Sequence, residues 1–501
     1  MSTSTFPPNI VWICADDYTP DFCTPYGNPI VQTPALSRLA AEGLRFDRAF
    51  ATCPLSTPSR QSFWTGRYPR RIGVTLSPTP LPATEVSLPQ RLREAGYTVA
   101  AFGKTHFYAP QRQLFDHSLD WPDYCRWLNR QEFDRTSFHG PVLGTWRPFL
   151  DPPEVWLNSS VLPYPAHDRE MFGTWLARAG AEFIGQRHSR PFFLYVSSYE
   201  THSPFNFPVE FRNRHQPSEF EPAWVTEDDW DRLPAVFQKL GPSEFQGIQA
   251  AYATCAEFMD RNVGLVLDAL AASGRLDDTL VIFSSDHGYL LGQHGRAEKH
   301  CCYDPAVRAA LLMRWPGTIP AGISTSALVE LHDLVPTLLE LCGIPLPGDL
   351  DGRSFTPLLD GLRDGRNPGH REQVFAEYAD NAEAMVRTER WKLIYSAGNR
   401  LRQDGYAVER LVGRESLQLF DLYSDPDELQ NRATDPGCRL VVDELLDKLT
   451  DHIIRTERFP DQIPRSGNRR DILSIGLLPT ESRALRQTHR TTDASRQRTS
   501  G

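Results

Sequence analysis

Four short apolar runs in this chain each end on charged or imidazole side chains, and that recurrence limits the possible folds more than any other feature. The runs are Asn9–Ala15, Tyr97–Phe102, Phe192–Val196 and Leu280–Phe283. Turn or polar residues bound each one, so they read as parallel strands buried on both faces. Helical patterns lie between them. Leu36, Leu39 and Leu44 mark one, and Leu88, Leu92 and Ala95 mark another. A long one runs from about Phe245 to Ala272 and stops at Gly274, a C-cap signal. Alternating strands and helices predict an α/β domain, with a large, mostly parallel sheet sandwiched by helices. Just past the runs stand Asp16-Asp17, Gly103-Lys104-Thr105-His106, Tyr199-Glu200-Thr201-His202 and Ser284-Ser285-Asp286-His287-Gly288. Open α/β sheets bind ligands at the carboxyl ends of their strands, so these four segments describe one composite site.

The remainder divides by composition. Residues 108–188 are rich in Trp, Pro, Asp and Arg with weak periodicity, and read as an insertion shaping access to the site. Val374–Tyr378, Trp391–Tyr395 and Leu417–Leu422 read as short antiparallel strands, followed by a helix from about Cys438 to Ile454. The expected organisation is a catalytic domain over 1–370, a smaller C-terminal α+β domain over 371–465, and a mobile Arg-rich tail over 466–501.

Net charge is −10, which argues against a general nucleic-acid binder. No apolar run approaches the roughly 18 residues needed to cross a bilayer. Met1–Pro8 lacks a basic stretch followed by an apolar one, so no secretory signal is expected. The nine cysteines are odd in number, scattered and free of any CxxC pair, which disfavours a disulfide framework or structural zinc. Together these features predict a reduced, cytoplasmic protein with no membrane and no nucleic-acid partner. Of the basic residues 48 are Arg and only five are Lys, so each Lys invites a reason for its compact, tunable charge.

The sharpest local motif is Ser56-Thr57-Pro58-Ser59-Arg60, with Thr65-Gly66 following. Pro58 fits the first turn of a helix starting here, which puts Ser56 at a helix N-terminus that stabilises an anion. Arg60, one turn on, can point the same way. The plain alternative is a Ser N-cap on an ordinary helix. At this motif the chain resembles the sulfatase family of the alkaline-phosphatase superfamily, whose signature is C/S-x-P-S-R followed after four residues by T-G. The resemblance extends over most of the chain. It takes in Asp16-Asp17, Gly103-Lys104-Thr105-His106, His202, Ser285-Asp286-His287-Gly288 and Glu298-Lys299-His300. Further on come His332-Asp333-Leu334-Val335-Pro336-Thr337, Asp351-Gly352-Arg353-Ser354 and Leu419-Phe420-Asp421-Leu422-Tyr423.

That resemblance implies an alkaline-phosphatase-like fold and a sulfuric ester hydrolase in which Ser56 is oxidised to 3-oxoalanine (formylglycine) by a radical-type maturase. Cys53 is the competing position, but Leu55 stands where the modification motif needs Pro. A hydrated aldehyde carries two hydroxyls: one displaces the alcohol from sulfur, and the other expels sulfate and restores the aldehyde. The resemblance also implies a divalent metal on Asp16, Asp17, Ser56, Asp286 and His287. Oxygen-rich ligation favours Ca²⁺, while His287, where many relatives carry Asn, leaves Mn²⁺ or another divalent metal open. Lys104, His202 and Lys299 are the implied contacts to the substrate, His106 the base and His202 the acid towards the departing alcohol. His294 and His300 stay unassigned. The expected substrate is a small sulfated saccharide, with an aryl sulfate as alternative. A phosphonate monoester or phosphodiester hydrolase on the same fold, and a non-catalytic sulfate-ester-binding protein, are the other readings.

Overall fold

A computed structural model describes residues 7–108, 111–133, 138–143, 157–398, 414–464 and 467–484. Eleven strands build its larger part: β1 (Asn9–Ala15), β2 (Leu44–Phe46), β3 (Ala49–Phe50), β4 (Thr98–Gly103), β5 (His117–Leu119), β6 (Phe192–Ser197), β7 (Thr279–Ser285), β8 (Arg308–Ala309), β9 (Leu311–Arg314), β10 (Ile323–Thr325) and β11 (Val329–Glu330). Eight of them form one sheet in the order β10, β2, β9, β7, β1, β6, β4, β5. Only β9 runs against its neighbours β7 and β2; every other pair is parallel. β3, β8 and β11 make a small separate sheet.

β1 lies at the centre, with Val11 opposite both Leu194 of β6 and Val281 of β7. Its side chains alternate between two cores, as the period of a strand requires. Val11 and Ile13 pack with the helices Phe172–Gly185 and Pro242–Ala272 on one face. Ile10, Trp12 and Cys14 pack with the helices Ser56–Thr65 and Leu334–Leu341 on the other. Both faces are apolar because helices cover both.

Trp12 fixes the helix that matters most. Its ring packs 4.9 Å from Phe63 and 5.4 Å from Trp64, and its Nε1 donates to Ser284 Oγ at 2.8 Å. Truncating such fully buried rings costs about 3–5 kcal/mol each. The anchor holds the last turn of the Ser56–Thr65 helix on the sheet, and Arg60 ties its first turns to Asp16 and Asp286 at the carboxyl ends of β1 and β7.

The C-terminal part is a four-stranded antiparallel sheet of β12 (Gln373–Tyr378), β13 (Glu383–Thr388), β14 (Trp391–Ser396) and β15 (Ser416–Asp421), in chain order. Val374, Ala376 and Ile394 pack against Tyr303 and Val307 of the larger part. Phe375, Val386 and Leu393 on the opposite face pack against Leu445, Leu449 and Ile453 of the helix Arg439–Thr456. Among the described residues no helix is long and apolar enough to cross a membrane.

Two expectations change in detail. Within the stretch expected as an insertion, Phe172–Gly185 is a core helix that buries Leu176, Ala177, Gly180, Phe183 and Ile184. Small residues on that face weaken its apolar signal, which is why periodicity understated it. Within the expected tail, Arg469–Gly476 is a helix that buries Ile472 and Leu473, while Glu481 accepts from the Thr75 and Leu76 backbone at 2.8 and 2.9 Å. Residues 485–501 and most of the Trp121–Trp156 aromatic stretch beyond Phe133 lie outside the described residues.

Candidate active site

The sheet brings all four strand ends together. β1 delivers Asp16 and Asp17, β4 delivers Lys104 and His106, β6 leads to His202, and β7 delivers Asp286 and His287. Two of these residues adopt left-handed backbone, Asp17 at φ 57° and His106 at φ 55°. Such geometry costs about 1–3 kcal/mol and persists only where its surroundings enforce it. At Asp17 they do so: its carbonyl accepts from Tyr252 Oη at 2.8 Å and Thr201 Oγ1 at 3.2 Å, and its N–H donates to Asp286 Oδ1 at 3.0 Å.

Ser56 is the first residue of its helix, and Leu55 is the N-cap. The plain capping reading therefore fails: the Ser56 hydroxyl makes no cap bond. It lies 3.4 Å from Asp16 Oδ1 and 3.1 Å from His287 Nε2, inside the acidic cluster. Cys53 is buried elsewhere, where desolvation pushes its thiol well up.

Arg60 is fully buried. It donates to Asp286 Oδ2 at 2.9 Å, Asp16 Oδ1 at 3.1 Å, Tyr195 Oη and Ser197 Oγ at 2.9 Å each, and the Lys104 carbonyl at 2.6 Å. One guanidinium thus aligns two carboxylates and the backbone of a third strand end, a positioning role rather than contact with substrate.

Three carboxylates face three cationic side chains. Lys104 Nζ donates to Asp16 at 2.6 Å, and Lys299 Nζ donates to Asp17 at 2.7 and 2.6 Å. Burial raises the Asp17 carboxyl, but Lys299, His202 and His287 outweigh it and bring it to about 2. Burial acts likewise on Asp286, and Arg60 above all holds it well below the usual carboxylate range. Both acids are ionised at neutral pH. Burial lowers Lys104, against Asp16, whereas Asp17 outweighs the same penalty at Lys299 and raises it.

The imidazoles are differently set. His287 Nδ1 lies 2.9 Å from the Gly288 carbonyl, which can only accept, so Nδ1 carries a proton and Nε2 is the ring atom turned towards the cluster, 3.5 Å from Asp17 Oδ1. Asp17, Asp286 and His287 present ligand atoms within 4.8 Å of one another, all buried. Asp16 and Asp17 form a second such group with His202. This donor set fits a divalent cation: oxygen-rich, with one imidazole nitrogen turned towards it. His106 is held well below the ordinary histidine value by burial and then by Lys104 and Arg60, so it is neutral and able to accept a proton. Its Nδ1 meets the Thr57 hydroxyl, which in turn lies 2.8 Å from Ser77 Oγ. His202 Nδ1 donates to the Ser203 carbonyl at 2.8 Å, and its Nε2 sits 3.8 Å from Asp17. Burial and Lys299 lower it, against Asp17, and with Nδ1 committed to Ser203 its Nε2 carries a proton only in the doubly protonated ring.

Sequence reasoning missed Thr57, Tyr195, Ser197 and Tyr252, which hydrogen-bond to His106, to Arg60 and to the Asp17 carbonyl. Thr57 carried a signal in its place beside Ser56; the others carried none. His294 pairs with Asp229 at 2.9 Å and stacks on Tyr303, and His300 lies 3.3 Å from Glu298.

Comparison with known proteins supplies the family. The sulfatase family model covers residues 8–344, and a second model, described as N-sulphoglucosamine sulphohydrolase, C-terminal, covers 292–455. Human arylsulfatase A is 31% identical over 467 residues, spanning 85% of this chain and 83% of that one. An N-acetylglucosamine-6-O-sulfatase of Bacteroides thetaiotaomicron is 25% identical over 488 residues, spanning 85% and 82%. Among solved structures, the phosphonate monoester hydrolase of Agrobacterium radiobacter superposes with a TM-score of 0.74 at 24% identity, covering 90% of this chain and 96% of its own. The extent of the family match, together with an acidic strand-end cluster around Ser56, makes this chain a member of the sulfatase family, a sulfuric ester hydrolase of alkaline-phosphatase-like fold.

Proposed function

We propose that this sulfatase hydrolyses a small sulfated saccharide, with Ser56 oxidised to formylglycine by a maturase and a divalent metal, Ca²⁺ before Mn²⁺, held by Asp16, Asp17, Asp286 and His287. One observation carries the reading: the Ser56 hydroxyl is withdrawn from helix capping and set among these ligands. When present, the metal polarises an ester oxygen, and the aldehyde hydrate supplies a nucleophile with a second hydroxyl for release. The chain's own residues do the rest. With a divalent cation bound beside Arg60, the three carboxylates would no longer need Lys104 and Lys299 as counter-charges, and both ammonium groups would be free to clamp an anionic ester. Arg60 keeps Asp16 and Asp286 in register. Neutral His106, steadied by Thr57, takes a proton, and protonated His202, backed by Asp17, gives one to the departing alcohol. A cytoplasmic location suits an imported small substrate.

Steady-state rates test this reading. Sulfated monosaccharides and 4-nitrophenyl sulfate are expected to give kcat/KM at least about tenfold above a matched aryl phosphonate monoester. A phosphonate preference of that size contradicts it and selects the phosphonate reading.

A further inference from the structure

A cavity of about 100 Å³ opens beside His202, large enough for a group the size of several waters. Trp121, Tyr124, Phe172 and Tyr199 wall it. Their rings pack within 5.2–6.0 Å of one another, Phe172 against Tyr124 and Tyr199, and Trp121 against Tyr199. Tyr199 is the partition between this cavity and the reactive cluster, since Lys104 Nζ lies 5.6 Å from its ring. His202 belongs to both sides.

Three polar side chains line this aromatic box, and each is over nine-tenths buried: Glu170 at 1%, Glu200 at 5% and Asn206 at 6% exposure. Glu170 Oε1 and both Asn206 amide atoms have no hydrogen-bond partner. Glu200 is committed elsewhere: burial raises its carboxyl, against hydrogen bonds from Ser198 and the Gly173 N–H. Glu170 spends its other oxygen on the His167 N–H at 3.3 Å. Among the described residues no Lys or Arg lines the cavity. A buried carboxylate without a counter-charge is costly, and a cation seated among aromatic faces removes that cost while gaining from the ring quadrupoles.

We infer that this cavity binds an ammonium group on the alcohol half of the substrate, so that the enzyme acts on zwitterionic sulfate esters. The inference rests on the sulfatase reading only for what occupies the far side of Tyr199. Lys104 and Lys299 take the sulfate, Glu170 and the aromatic rings take the cation, and His202 stands between them at the ester oxygen. The same recognition excludes uronates and second sulfates from this position. An amino sugar and an acyclic amino alcohol both carry the required group.

Calorimetric titration of the full-length protein with small alcohols isolates the cavity from the reaction. Choline is expected to bind at least about tenfold more tightly than 3,3-dimethylbutan-1-ol, its uncharged isostere, and Glu170→Gln is expected to remove most of that preference. Glucosamine binding more tightly than choline supports the inference with an amino sugar as the source; choline ahead supports it with an amino alcohol. Equal affinity for choline and its isostere, or a preference untouched by Glu170→Gln, overturns it. The comparison of ligands on the unaltered protein holds whether or not the variant folds. Turnover of choline sulfate and glucosamine 6-sulfate, measured in parallel, reports on the sulfatase reading separately. Its absence beside intact choline selectivity contradicts that reading and leaves the cation pocket standing.

Discussion

Two buried clusters in this molecule have nearly the same composition and opposite meanings. At the strand ends, Asp16, Asp17, Asp286 and His287 gather around Ser56. At the base of the C-terminal sheet, Glu330, His332 and Asp333 gather around Arg371. In the second cluster the carboxylates are saturated. Glu330 accepts from Tyr68 Oη at 2.7 Å, Arg371 at 3.0 Å and the Phe375 N–H at 2.8 Å. Asp333 accepts from Arg371, His370 Nε2 at 3.1 Å, and the N–H groups of Glu330 and Arg353 at 2.9 and 2.7 Å. At the first cluster the outer partners are two flexible ammonium groups, which a metal and an anionic ester can replace. Residue types do not separate a reactive acidic cluster from a structural one; the exchangeability of the partners does.

The largest test is to make the first cluster behave like the second. Asp286→Asn keeps the shape and the contact to Arg60, but removes the charge a metal needs. Activity on a sulfate ester is expected to fall by at least about 10³-fold, with urea unfolding little changed, and prolonged chelation of the unaltered enzyme is expected to do the same. Full activity after chelation contradicts the metal assignment. The converse substitution is Arg371→Ala. Leaving buried Glu330 and Asp333 without their cation is expected to cost about 3–5 kcal/mol in urea unfolding, while kcat/KM of the folded fraction stays within about threefold.

The interface extends the second pattern to pH. Burial raises the Glu377 carboxyl, but Arg70 and His452 outweigh it and bring it to about 2. A depressed folded-state pKa contributes stability that is complete above the unfolded value near 4.5 and lost as pH falls towards 2. Glu377→Gln is therefore expected to flatten the acid limb of stability by about 3 kcal/mol over that interval, an order-of-magnitude figure read by denaturation at stepped pH. An unchanged limb contradicts the pairing.

Two smaller effects sharpen the first pattern. His106→Ala is expected to lower kcat by about 10²-fold without altering metal content. In the unaltered enzyme, the depressed His106 value keeps the proton-accepting form populated below pH 6.5, so its limb in kcat/KM is expected below that pH. Thr57→Val, which removes only the hydroxyl beside His106 Nδ1, is expected to cost about three- to tenfold in kcat, with Thr57→Ser restoring it. A Thr57→Val enzyme with unaltered kcat shows the contact to be packing alone.

Much of this arrangement was legible in the chain. Strand ends identify themselves because an apolar run must stop where polar groups begin, so Asp16, Lys104, His202 and Asp286 stood at readable positions. The sparse use of lysine marked Lys104 and Lys299, which the fold sets against Asp16 and Asp17, but it equally marks Lys392, which is buried against Asp304 at 2.8 Å and Glu428 at 2.5 Å in an ion cluster away from the site. Rarity signals a special environment, not a reaction. The antiparallel β9, the strand β13 and the core helix Phe172–Gly185 were not legible, because their identity depends on what packs over them. Arg60 was read as a group pointing at the anion; only the fold shows it enclosed by five oxygen partners. The aromatic cavity beside His202 was beyond reach for a related reason: its walls come from segments distant in sequence, and its unpaired atoms exist only once the rest is paired.

The central claim is that Ser56 is oxidised to the reacting formylglycine. Mass spectrometry of the tryptic peptide Ala49–Arg60, from protein made in its native host and shown to hydrolyse a sulfate ester, tests it most directly. The account predicts a loss of two hydrogens located at Ser56. An unmodified Ser56 in fully active protein contradicts it.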